Sequence, residues 1–270
     1  MVKKLFKHEF LSYVRAMGIV YGILLTMAVA TRIISLFESD TNAYYIIRSF
    51  SNITYIVSAA ATIGFAFVMG IVRFYKNMFS AEGYLTHTLP VTAGQHILVK
   101  AVSAVCVNWV SMIVALLSVF IALPYAEMKE TLDGFLYIFG QLLALDSMQS
   151  IWVGLEYFIL LVLSSFSSVM LYYACISLGQ LSKKNRILAA VGVYFAYYIL
   201  SQIVSTVVTI ILTALASMSV YLYDILFWVG EHPMEVYHTV MWVIIVLTFL
   251  FVAAEYLVIR WVLTKKLNLE

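Results

Sequence analysis

His232, Glu235 and His238 stand at steps of three, and imidazole nitrogens and carboxylates are ligands for zinc. Three features weigh against a metal there. Pro233 lies between the first two, a step of three turns a helix face by about 60°, and no fourth ligand is near. The spacing predicts solvated residues rather than a metal centre, and no metal is expected. Two other carboxylates lie inside apolar stretches: Glu156 close to the start of one, Glu255 near the end of another. Charges at membrane depth are costly and by default mark function. For each, a direct part in transport stands beside a plainer reading. Glu156 would pack between helices or sit at the interface; Glu255 would pair with Arg260. Hydroxyl and phenol groups form two stripes. Thr54, Ser58 and Thr62 step by four; Tyr194, Tyr198, Ser201 or Gln202, Ser205 and Thr209 step by three or four. Such steps keep side chains on one helix face. That face lines a substrate path, or it packs as a seam between helices or copies. Both readings stay open.

Other chemistry is missing. The chain holds no Gly-x-x-x-x-Gly-Lys-[Ser/Thr] loop for nucleotide phosphates and no His-Glu-x-x-His pair. No Ser/His/Asp set stands where it would converge. The chain is therefore expected not to be an enzyme by itself and to bind no cofactor of its own. A net charge of +2 gives no reason to expect nucleic acid.

The elements that must position these residues are written in the composition. Of 270 residues, 64% are hydrophobic and only 11% charged, where soluble domains carry about 25% charged residues. A spanning helix needs about 20 mostly apolar residues. Six segments meet that length: Ala16–Phe37, Ile53–Val72, Ala101–Leu123, Ile151–Leu178, Ile187–Ser217 and Val236–Ile259. Lipid demands closed backbone hydrogen bonding, and no barrel-like alternation is present, so these are expected to be helices. The fold class is all-α and integral to the membrane, in one domain. Cys106 and Cys175 lie within apolar runs and are expected as buried thiols.

Basic residues set the orientation. All but Arg32, Arg48 and Lys129 of the 16 Lys and Arg residues fall on one side of the six segments. That side is expected to be cytoplasmic, with both termini inside and a plasma membrane as the location. Arg32 and Arg48 would snorkel or pair with Glu38 and Asp40. Residues 1–15 carry Leu5, Phe6, Phe10 and Val14 near one face among lysines, and predict an interfacial helix before the first span. Ala28-Val29-Ala30 resembles a cleavage site, but the apolar run continues past it, so an uncleaved span is expected. Leu132–Leu145 and Met218–Val229 are apolar, aromatic and shorter than a span, which predicts re-entrant or interfacial helices.

A polar interruption remains, Phe74 to Pro90, between the second and third spans. Phe74-Tyr75-Lys76-Asn77-Met78-Phe79, Glu82-Gly83-Tyr84-Leu85-Thr86, Thr88-Leu89-Pro90-Val91 and then Lys100 are similar to a run in ABC-2-type permeases of the bacterial Gram-positive kind. Ser80 is a helix-start candidate within it. The likeness is one of topology over the whole chain and of motif over about Phe74–Lys100. It implies the membrane subunit of an ATP-driven exporter, moving a peptide, lipid-like or drug-like substrate outward. It further implies a second permease copy or paralogue and a separate ATP-binding subunit that holds ATP and Mg. A coupling helix around Ser80–Thr88 would dock on that subunit. Ser80, Glu82, Gly83, Tyr84, Leu85, His87 and Leu89 would form it, with Tyr84, Leu85 and Leu89 as apolar anchors. Thr54, Ser58, Thr62, Tyr194, Tyr198, Gln202, Ser205 and Thr209 would border the substrate path, within a shell of membrane lipid. Two other readings are an ABC-type complex for antimicrobial-peptide sensing or immunity, and an intramembrane enzyme built on Glu156, Glu255 and His238.

Overall fold

A computed structural model of the chain describes residues 2–37, 39–80, 91–143, 147–182, 184–218 and 230–265, and all regular structure among them is helical. The helices are α1 (Val2–Leu36), α2 (Asn42–Phe79), α3 (Ala93–Ala122), α4 (Tyr125–Leu143), α5 (Ser147–Gly179), α6 (Arg186–Met218) and α7 (Pro233–Lys265). All but α4 are long and apolar enough to cross a membrane. Each expected span lies within one of these six to within a residue.

The helices outrun the spans because hydropathy sees only the apolar stretch, whereas caps decide where a helix ends. Thr41 caps α2, its hydroxyl accepting from the Tyr44 amide. Thr92 opens α3 with a reciprocal box. Its Oγ1 accepts from the Gln95 amide at 3.4 Å, and Gln95 Oε1 accepts from the Thr92 amide at 3.2 Å. Pro124 follows α3, and Pro233 opens α7, where its missing N–H costs nothing. With 38 residues, α2 is about 57 Å long, nearly twice a hydrocarbon core.

Three expectations change. The interfacial helix over residues 1–15 is not a separate element, because α1 runs unbroken through Ala16. No Pro stands near that point to interrupt it, and Gly18, two residues on, lies within the helix. The polar interruption is shorter than its letters imply: Phe74, Met78 and Phe79 continue α2 and are buried. Ser80 ends α2, with extended backbone and its hydroxyl donating to the Lys76 carbonyl at 2.5 Å, and the residues of any helix it would start lie outside the described residues. The connection after α3 carries a 19-residue helix, α4, which starts earlier than the expected Leu132. Met218 is the last residue of α6, and 219–229 lie outside the described residues.

The chain divides into two compact units, Met1–Ser150 and Ile151–Glu270. In the first, α1, α2 and α3 pack on one another. One core layer joins Leu24, Ala28, Tyr55, Ala115 and Ala122; another joins Tyr13, Met17, Ala66 and Val107. Small residues let the backbones approach, as membrane helices require. A Cβ on Gly70 would meet Ala104 Cβ at 3.3 Å. Hydroxyls join helices across these layers: Tyr21 to Ser111 at 2.7 Å and Tyr55 to Ser118 at 2.9 Å. In the second unit α5 and α6 meet where a Cβ on Gly179 would lie 2.6 Å from Ala190 Cβ. The Tyr172 and Tyr194 rings stack there at 5.3 Å. No residue of Arg186–Ile211 is buried.

Candidate functional site

The best-organised polar cluster lies where α1, α2 and α3 meet, beside both ends of the 80–92 connection. Its centre is Glu9. One carboxylate oxygen accepts from Lys100 Nζ at 2.5 Å and from Asn77 Nδ2 at 3.1 Å. The two side chains of the ion pair are 12% and 4% exposed, so the pair is shielded from solvent and salt. Arg73 adds a second tie. Its guanidinium donates to the Glu9 carbonyl at 3.3 Å and to the Ser12 hydroxyl, and lies 4.4 Å over the Tyr13 ring. His96, one turn before Lys100, is buried at the same end of α3. The cluster thus fastens the last turns of α2 and the first turns of α3 to the start of α1. Glu9 has no distinguishing local signal: it sits among lysines on an amphipathic stretch, and its partners lie 68 and 91 residues away.

Of the residues expected to couple to an ATPase, Ser80 is the cap of α2. Glu82, Gly83, Tyr84, Leu85, His87 and Leu89 lie outside the described residues. On the first stripe, Thr62 is buried, while Thr54 and Ser58 are half-buried. All three hydroxyls donate to carbonyls of their own helix: Thr54 to Phe50, Ser58 to Tyr55 and Thr62 to Ser58. On the second stripe, Tyr194 is half-buried against Tyr172, and Tyr198, Gln202, Ser205 and Thr209 are exposed along α6.

The ionisable residues find partners other than those expected. Arg48 pairs with Glu127 of α4 at 2.7 Å, and Arg32 donates to the Leu123 carbonyl at 2.7 Å. Both partners belong to the stretch after α3, and neither is Asp40. Glu156 is 1% exposed, and His238 Nδ1 lies 2.9 Å from each of its carboxylate oxygens. His238, in the first turns of α7, is thus a half-buried residue facing α5 rather than a solvated one. Glu255 is buried and does not pair with Arg260; neither of its oxygens has a hydrogen-bond partner among the described residues. Arg260 is exposed. One turn on, its side chain lies on another face of α7. Both cysteines are free, Cys175 buried and Cys106 half-buried.

Helices of this number, length and apolarity define an all-α, multi-pass membrane protein. No protein-family model matches the chain, and comparison with curated proteins and with solved structures finds no match.

Proposed function

We propose that this chain is the membrane-spanning subunit of an ATP-driven exporter of the ABC-2 type. It would be powered by a separate ATP-binding subunit at a bacterial plasma membrane and paired with a second permease copy or paralogue. The observation that supports this reading most is the Glu9–Lys100–Asn77–Arg73 cluster. A connection that takes up force from a soluble motor must be anchored at its base, or the motion dissipates in local bending. Here the base is tied to three helices at once by shielded, charge-assisted hydrogen bonds. Thr92 and Ser80 end the flanking helices sharply at either side. Between them Tyr84, Leu85 and Leu89 offer apolar anchors of the kind a groove accepts from a short helix. Closure of the motor on ATP would then tilt α2 and α3 as rigid bodies. The permease contributes geometry and differential affinity for substrate in two states; the hydrolysis belongs to the partner.

The test is co-purification. Gentle solubilisation of the tagged chain from its own membranes should bring down an ATP-binding subunit. Tyr84→Asp and Leu85→Asp should lower its recovery at least tenfold, about 1.4 kcal/mol of binding, while the helical content stays intact. If the wild-type chain brings down no ATPase, or both variants retain it fully, the reading fails.

A further inference from the structure

The pair formed by Glu156 and His238 joins α5 to α7, helices that the Glu9 cluster does not include, and its chemistry is that of a titratable contact. Glu156 lies on α5 and is 1% exposed; His238 lies on α7 and is 28% exposed at its side chain. Nδ1 sits 2.9 Å from both carboxylate oxygens. Nε2 is therefore the nitrogen left to exchange a proton with water. His238 also lines an open groove with Thr239, Trp242 and Val243, so one edge of the ring has access to the surroundings.

The neighbours that face the pair are few. Tyr157 follows Glu156 on α5, and Tyr237 precedes His238 on α7, with their rings 6.4 Å apart. The Tyr237 ring stands edge-on to the imidazole at 5.4 Å. Glu235, one turn back on α7, is exposed. Among the described residues no Lys or Arg pairs with Glu156. The ionisable partner beside it is the His238 imidazole, which is a countercharge only when protonated. Of all these groups, histidine is the one whose charge ordinarily changes between pH 5 and 8.

We propose that Glu156 and His238 form a proton-binding clasp between α5 and α7. The clasp is closed while the imidazole carries protons on both nitrogens. It loosens when Nε2 gives its proton to water. The Nδ1–H bond to the carboxylate then survives, but the buried anion has lost its compensating charge, and a buried charge without a partner strongly disfavours the packed state. The proton is the only species that enters or leaves. This site is independent of the transport reading and stands whether or not an ATPase binds.

The experiment uses the purified full chain in detergent. Its melting temperature should fall by about 5 °C or more between pH 5.5 and pH 8.5. Glu156→Gln and His238→Gln should each flatten that dependence, although four other histidines remain. Carbethoxylation of His238 in the wild-type chain, followed by mass spectrometry, reads the free Nε2 directly. Its rise with pH should fall within the range over which the melting temperature drops. A flat wild-type melting profile overturns the proposal, as does an unchanged slope in both variants. If neither variant folds, the two wild-type profiles decide, and modification that rises outside the pH range of the melting change overturns it.

Discussion

Lys100 is 4% exposed at its side chain, and an ammonium so enclosed depends on the carboxylate beside it. Glu9→Gln keeps the shape and removes the charge, and should cost about 3 kcal/mol of stability. Lys100→Met in the same chain should recover part of that loss, because the stranded charge is gone. Denaturant unfolding of the two single variants and the double variant measures the coupling; strictly additive costs would show that the groups do not interact. None of this was visible at the level of single residues. Glu9 reads as one more charge on an amphipathic stretch, and Lys100 as one more cytoplasmic cation. Glu156 stands out by its depth in an apolar stretch, but spacing marks its partner His238 only as a solvated residue near His232 and Glu235. Each of these contacts joins positions at least 82 residues apart, beyond any spacing rule.

At the scale of elements, close approach divides the glycines. A Cβ at Gly179 would fall 2.6–2.8 Å from the Cβ, N and Cα of Ala190, and backbone atoms cannot step aside. At Gly70 the nearest atom is a single Cβ at 3.3 Å, which a shift of a few tenths of an ångström relieves. Gly179→Ala should therefore destabilise by about 2 kcal/mol. Gly70→Ala should be close to neutral, since the helix gains roughly 0.5–1 kcal/mol from alanine. Thermal melting of both variants side by side distinguishes them; equal losses would contradict this account of the α5–α6 contact. The spans themselves were legible, because about 20 apolar residues must form a helix in lipid. Their ends were not. Phe74–Phe79 belongs to the expected interruption, whereas the burial of Phe74, Met78 and Phe79 carries α2 on. α1 likewise runs past its basic flank, since nothing in residues 1–15 breaks a helix.

At the scale of the whole molecule, six spans and a strong bias of basic residues predict both termini on the same, cytoplasmic side. Epitope tags fused at each terminus should both be removed by protease from inside-out vesicles and both survive in sealed right-side-out ones. Cleavage of one tag alone would require an odd number of crossings. The amino-acid order alone determined that the chain is helical, apolar and carries six segments long enough to cross a membrane, because each of those properties follows from local composition and from the cost of bare backbone in lipid. Tertiary structure alone decided which charges meet. Glu9 found Lys100, Arg48 found Glu127, Glu156 found His238, and Glu255 was left without a hydrogen bond among the described residues. Those outcomes depend on how helices rotate about their axes when small residues and cross-helix hydroxyls lock them together, a choice that no stretch of sequence makes by itself.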